Sequence, residues 1–331
     1  MAYIFDIANN KYIALAPHHT FGRLANAVDT RIDKPYISKL HAAIEWDGQD
    51  WRIKNLGLNG TWFNGTLLNN STGNESQVLR VNDKFHLAEL NDPGFKVVDL
   101  EPPADMLWPM DGVSGATPQP IYLSRYHLLP DTNAPELAIY FDEQHQQWQM
   151  EMLNAQREHM SYELNDGDLI QLGTTQWQLM RAQICGPTEA HIFQTQHLGD
   201  MEFVFNLSLD EESTQLELVS SEHKIDLAVR NHHYLLAHLA RVRAADTARG
   251  LDIKSQGWIY TDQLASELGL DATHMNIYIF RLRKQIADSI PTVVGLQCLL
   301  ERRSGKIRFG CEKFKIYKGA SLTLASPQSA S

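Results

Sequence analysis

Three short clusters hold the side chains best suited to grip an anion: Gly22-Arg23, Ser38-Lys39-Leu40-His41, and Asn59-Gly60-Thr61-Trp62-Phe63-Asn64. Arg23 offers a planar fork of N–H donors that matches phosphate geometry. Ser38 adds a hydroxyl donor, Lys39 a second cation and Asn59 a neutral side-chain amide. A phosphate ester on a side chain carries about −1.5 to −2 charges and three acceptor oxygens. A fixed cation with several neutral donors around it is the chemistry such a group requires. Turn residues surround all three clusters, which predicts loops presented by a rigid scaffold.

The scaffold is legible as short strands. Ala43-Ile44-Glu45-Trp46 and Trp51-Arg52-Ile53-Lys54 flank Asp47-Gly48, a hairpin signal. Thr61-Trp62-Phe63, Val78-Leu79-Arg80-Val81, Phe85-His86-Leu87 and Phe95-Lys96-Val97-Val98 follow, separated by Asn59-Gly60, Asn64-Gly65 and Asn91-Asp92-Pro93-Gly94. Many short strands with frequent turns predict an all-β sandwich over residues 1–100. Glu101-Pro102-Pro103 marks its end.

In order and spacing, the three clusters resemble the signature of the forkhead-associated (FHA) domain: Gly-Arg, Ser-x-x-His, Asn-Gly-Thr-x-x-Asn. The resemblance covers residues 1–100 and implies binding of a phosphothreonine-containing partner protein. It assigns the phosphate to Arg23 and Ser38, with Lys39 at the loop tip, and the peptide backbone beside the phosphothreonine to Asn59. Gly22, His41, Gly60, Thr61 and Asn64 fall to structural support of the site, with His41 tying the binding loops together. One departure stands out. Leu58 occupies a position where relatives often carry Ser or Thr, which removes a potential phosphate donor.

The middle segment, 101–199, is β-rich, with strands expected at Leu137-Ala138-Ile139-Tyr140-Phe141 and Trp148-Gln149-Met150-Glu151-Met152. Its Leu164–Leu172 stretch echoes Leu79–Leu87, which hints at a degenerate second copy of the first fold. No Gly-Arg, Ser-x-x-His or Asn-Gly-Thr set recurs there, so a copy would be a spacer or contact module without a phosphate site. Charge points the same way. Residues 1–100 carry net −1, residues 101–220 net −16 and residues 221–319 net +6, which with the uncharged last twelve gives the chain's −11. The acidic middle repels phosphate.

Residues 200–319 read as a third domain of strands and helices. Phe203-Val204-Phe205-Asn206-Leu207 and Leu216-Glu217-Leu218-Val219 predict strands, and Tyr234, Leu235, Leu239 and Val242 recur at helical spacing. A helix is expected over Thr261–Leu268, with Thr261 as N-cap and Gly269 as stop. A second runs from Ala272 to about Ala287, capped by Asp271. Met275, Ile279, Leu282 and Ile286 form its buried stripe, with Ile277 and Phe280 off that stripe. His274, Tyr278, Arg281 and Gln285 share another face. Glu301–Phe309 then forms a basic hairpin. This part resembles the winged-helix output domains of bacterial response regulators. The resemblance implies double-stranded DNA as a partner. The candidate contacts are His274, Tyr278, Arg281, Arg283 and Lys284 on the helix, and Arg302, Arg303, Lys306 and Arg308 on the hairpin. Winged helices also serve as protein-binding modules, so the protein-contact alternative stays open. The Ser/Ala-rich tail, 320–331, is expected to be disordered.

Catalysis is not expected. No Walker loop, kinase signature, zinc-spaced Cys/His cluster or serine-nucleophile motif occurs, so no cofactor or metal is assigned. The pairs His18-His19 and His232-His233 lack a credible set of further ligands. Cys185, Cys298 and Cys311 are odd in number and unpatterned, as expected of thiols in a reducing cytoplasm. No signal peptide or membrane insertion is expected. Together these features describe a cytoplasmic bacterial signalling regulator in a Ser/Thr kinase pathway, docking a phosphorylated partner and binding DNA. The alternative is an adaptor or scaffold, in a kinase pathway or a secretion system, whose C-terminal domain contacts protein.

Overall fold

Asp47-Gly48 opens the hairpin tip its sequence predicts. Asp47 Oδ1 accepts the N–H groups of Gln49 and Asp50 at 3.0 and 2.8 Å. Gly48 takes φ +101°, which a side chain disfavours. The computed structural model describes residues 1–68, 76–110, 116–154, 158–182, 196–221 and 223–327. Contacts divide the chain into two units: Met1–Leu123 with Asn165–Thr188, and Ser124–Leu164 with Glu189–Ser331.

The first unit contains the site. Its strands are β1 (Tyr3–Asp6), β2 (Lys11–Ala14), β3 (His18–Gly22), β4 (Thr30–Arg31), β5 (Ala42–Trp46), β6 (Trp51–Asn55), β7 (Thr61–Phe63), β8 (Thr66–Leu68), β9 (Gln77–Val78), β10 (Lys84–Leu87) and β11 (Phe95–Asp99). They form two sheets, ordered β2-β1-β11-β10-β7-β8 and β4-β3-β5-β6-β9. Both sheets feed one core, in which Ile4, Phe85 and Val97 of the first meet Phe21, Ile44 and Ile53 of the second. Phe21 packs on Phe85 and Phe95 at ring separations of 5.5 and 5.4 Å, edge-on and tilted. That ring cluster fixes the end of β3, where Gly22 and Arg23 leave the sheet.

The middle segment carries β12 (Met106–Pro109), β13 (Ile121–Tyr122), β14 (Tyr126–Leu129), β15 (Leu137–Asp142), β16 (Gln147–Leu153), β17 (His159–Leu164), β18 (Leu169–Leu172) and β19 (Thr175–Met180). Its sheets run β13-β12-β19-β18 and β14-β15-β16-β17. The first repeats the order β2-β1-β11-β10, and the second repeats β3-β5-β6-β9. The segment is not a separate body, however. β12, β13, β18 and β19 fall in the first unit, where Met106 and Trp108 pack on Met1 and Tyr3. The strands β14 to β17 fall in the second.

The second unit continues with β20 (Gln196–His197), β21 (Glu202–Leu207), β22 (Thr214–Val219), β23 (Lys224–Val229), α1 (His233–Ala248), β24 (Ile259–Tyr260), α2 (Thr261–Leu268), α3 (Ala272–Ser289), β25 (Val293–Val294), β26 (Leu300–Arg303), β27 (Lys306–Phe309), β28 (Phe314–Lys318) and β29 (Ser321–Ala325). Phe203, Phe205 and Leu207 point inward at period two, as do Thr214, Leu216 and Leu218. Gly269 ends α2 in the left-handed region, at φ +64°. Asp271 caps α3 by accepting the His274 N–H at 2.8 Å. Met275, Ile279, Leu282 and Ile286 are buried as a stripe.

Four expectations change. Thr261 is the first residue of α2 and not its cap; Tyr260 holds the cap position, and the Thr261 hydroxyl donates to the Gly305 carbonyl at 3.0 Å. Phe280 is buried in the core, so the helix inserts a broader face than its stripe implied. Residues 321–325 of the expected disordered tail form β29, because β28 offers them an antiparallel partner. Residues 328–331 and Cys185 lie outside the described residues. The fourth is the division of residues 101–199 between two units. Among the described residues, no helix is long and apolar enough to cross a membrane.

Candidate functional site

Close backbone contact builds the site, and small residues allow it. A Cβ on Gly22 would lie 2.3 Å from the Lys39 carbonyl oxygen, so only glycine lets β3 leave the sheet against the Ser38–His41 turn. Across that contact the Arg23 N–H donates to the Ser38 carbonyl at 3.0 Å. The Leu24 N–H donates to the Lys39 carbonyl at 3.2 Å. The Arg23 Nε donates to the Ile37 carbonyl at 3.1 Å. These bonds orient the guanidinium while its two Nη groups meet no acceptor among the described residues.

His41 joins this turn to the next. It is fully buried, and burial lowers its pKa, so the neutral ring prevails near pH 7. Its Nδ1 accepts the Ser38 N–H at 3.1 Å, which places the proton on Nε2, 2.9 Å from the Gly60 carbonyl. A Cβ on Gly57 would fall 2.6 Å from His41 Nδ1, so Gly57 makes room for the ring. Gly60 takes φ +76° in the turn that follows. Thr61 is buried and donates its hydroxyl to Asn55 Oδ1 at 2.9 Å. Asn64, at φ +46°, bonds Asp83 through Nδ2 and the Lys84 N–H through Oδ1, each at 2.9 Å. It braces the β7–β8 turn.

The remaining ligand candidates lie on the rims of these loops. Ser38 Oγ accepts the Leu58 N–H at 3.1 Å, and its own proton meets no acceptor among the described residues. Asn59 donates Nδ2 to the Tyr36 carbonyl at 2.8 Å, leaving one N–H and its carbonyl oxygen for a ligand. Arg23, Lys39 and Asn59 are exposed, and neither cation enters an ion pair among the described residues. Leu58 is 95% exposed. The structure thus brings Arg23, Ser38, Lys39 and Asn59 to adjoining loops, with two unneutralised cations and open donors.

Two supports were missed. Tyr36 holds Asn59 through its carbonyl and is itself anchored by its hydroxyl on Asp92, which also pairs with Lys34 at 2.8 Å. Gly57 seats His41. A carbonyl contact leaves no mark on residue type, but a second glycine two residues before Asn59 was a visible signal.

The DNA candidates separate. On α3, Arg283 is buried against Glu151, Arg281 bonds the Thr132 and Asn133 carbonyls, and Lys284 pairs with Asp288 at 3.0 Å. Arg283 is therefore not available to a groove. Tyr278 is half-buried near His232, and His274 bonds Asp271 at 2.9 Å. On the β26–β27 hairpin, Arg302 bonds Asn276, and burial with nearby Arg283 lowers its pKa to about 10. Arg308 pairs with Glu301 and covers Trp258. Lys306 lies 4.5 Å over the Tyr260 ring. Arg303 is exposed. No cluster of three metal-ligating side chains occurs among the described residues.

Residues 19–88 match the FHA domain model, so the chain contains an FHA domain there. An FHA domain is a phosphopeptide-binding module and not a catalytic one. No curated protein sequence matches the chain. Several solved structures are similar to part of the chain, three of them as follows. EmbR of Mycobacterium tuberculosis, in complex with a low-affinity phosphopeptide, is 25% identical, with a TM-score of 0.25 over 29% of this chain and 24% of its own. The MEK1 FHA domain bound to a HOP1 phosphothreonine peptide is 21% identical, with a TM-score of 0.25 over 29% and 94%. The FHA domain of CT664 from Chlamydia trachomatis is 19% identical, with a TM-score of 0.23 over 30% and 96%. The chain thus spans about a quarter of the EmbR chain it matches.

Proposed function

We propose that this chain is a phosphothreonine-dependent adaptor of the bacterial cytoplasm. Its FHA domain docks on a partner phosphorylated by a Ser/Thr kinase, and its C-terminal part contacts protein. The observation that carries the docking is the shared ridge of Arg23 and Ser38, held by the 3.0 Å backbone bond between them, with Lys39 and Asn59 beside it. Arg23 and Ser38 grip the phosphate, Lys39 adds long-range attraction, and Asn59 holds the peptide backbone. The order of strands β12 to β19 supports a degenerate second FHA copy, one whose loops lack phosphate ligands.

The buried Arg283–Glu151 pair favours the adaptor over a DNA-binding regulator, because α3 has spent its central cation inside the fold. A winged-helix DNA reading keeps one supporting feature, the hairpin cations Arg303 and Lys306. Titration of duplex DNA into the full chain across a salt series separates the two. The adaptor reading expects no steep salt slope; a slope that Arg303→Ala and Lys306→Ala flatten by about one each supports the DNA reading.

A further inference from the structure

Polar contacts join α3 to the β14–β17 segment, all within one unit. The Arg281 Nε donates to the Thr132 carbonyl at 3.2 Å, and its Nη2 to the Asn133 carbonyl at 2.6 Å. Arg283 Nη1 meets Glu151 Oε2 on β16 at 2.6 Å, with side chains 5% and 6% exposed. Beyond the helix end, the Arg125 guanidinium bonds Glu143 and the carbonyls of Pro291 and Val293. Tyr126, Leu128, Ala138 and Tyr140 share one core with the buried stripe of α3.

Thr132 and Asn133 belong to the β14–β15 connection. In strand order it corresponds to the β3–β5 connection, which carries Arg23 and Ser38. The two connections present opposite chemistry. The first offers N–H and hydroxyl donors. The second offers acceptors: Asp131 Oδ1 takes the Asn133 and Ala134 N–H groups at 2.6 and 3.0 Å, which leaves the carbonyls of 132 and 133 facing Arg281. A loop lined by carbonyl oxygens repels phosphate and accepts a guanidinium.

We propose that the β14–β15 connection and its sheet are a docking surface for a basic helix, occupied in cis by α3 of the same chain. Where the first copy takes a phosphorylated partner, the second takes the chain's own helix. α3 is then a protein-contact helix, closed to a DNA groove by the contacts that hold it. The contrast with the first copy rests on the phosphothreonine reading; the occupancy of the second does not.

Arg281→Ala tests this in the full chain. Arg281 is only partly buried, and an unchanged near-ultraviolet circular dichroism spectrum verifies folding. Amide hydrogen exchange across residues 131–136 is expected to rise roughly tenfold, with binding to a short DNA duplex at low salt not weakened. Unchanged exchange there, or a tenfold loss of DNA affinity in the variant, overturns the proposal. Phosphopeptide affinity measured on the same protein reports on the first unit alone: its absence in the wild type strikes the phosphothreonine reading and leaves this one standing.

Discussion

Ser38 and Leu58 are joined by one hydrogen bond, in which the Ser38 hydroxyl oxygen accepts the Leu58 N–H at 3.1 Å. The bond occupies one lone pair of the hydroxyl oxygen and leaves its proton, which meets no acceptor among the described residues, free for a ligand. In the proposed complex Ser38→Ala removes a donor to a charged phosphate, worth about 1.5 to 3 kcal/mol. Phosphothreonine-peptide affinity is expected to fall at least roughly tenfold, with amide exchange rising at residue 58. Calorimetric titration and exchange measured on one sample check both halves. Unaltered affinity contradicts the role given to Ser38.

The Leu58 side chain touches almost nothing, at 95% exposure. Leu58→Ser therefore leaves stability within about 0.5 kcal/mol. In the proposed complex it adds a hydroxyl donor near the phosphate, so phosphopeptide affinity is expected to rise several-fold. Competition between wild type and variant for one labelled peptide measures the difference. Weaker binding by the variant places Leu58 itself in the peptide contact.

Acid acts through buried and half-buried imidazoles. Burial lowers the pKa of His41, His127 and His233, and takes His19 and His232 to about 4. In each case the folded value lies below the unfolded one of about 6.5. Their neutral forms therefore contribute stability that is fully present above pH ~6.5 and is lost as pH falls through the folded values. Protonating His41 would also set an N–H against the Ser38 N–H it now accepts. Urea midpoints are expected to hold between pH 7 and 8 and to drop at pH 5. A midpoint that rises on acidification contradicts the assignment.

Glu151 and Arg283 form a buried pair whose halves need each other. Burial opposes the Glu151 charge, yet Arg283 and His159 hold its carboxyl down at about 2. Removing either partner strands a buried charge, which costs about 3–5 kcal/mol. Glu151→Leu with Arg283→Met together is expected to cost much less than either single change. A double-mutant cycle by chemical denaturation reads the coupling. Additive losses contradict a dry, paired interior there.

The candidate site was legible in the sequence as three clusters at fixed spacings, and the structure brings Arg23, Ser38, His41 and Asn59 of those clusters to adjoining loops. Tyr36 escaped notice because it works through a carbonyl, which any residue possesses. Helix α3 was legible as a helix, down to its Asp271 cap. Its partner was not. A row of cations looks the same whether it meets DNA, solvent or a carboxylate such as Glu151, more than a hundred residues away in sequence. Strand β29 was hidden because the Ser- and Ala-rich tail around it masks the short Leu322-Thr323-Leu324 run, and β28 supplies the pairing. The division of residues 101–199 between units depends on long-range packing that local pattern does not encode.

The central claim is a grip on a phosphorylated threonine, and calorimetric titration with a phosphothreonine peptide library addresses it directly. Selected peptides are expected to bind the wild type and to lose at least roughly tenfold in affinity when dephosphorylated or when Arg23 becomes Ala. Equal binding of the phosphorylated peptides by wild type and Arg23→Ala, or of both peptide forms by the wild type, would contradict it.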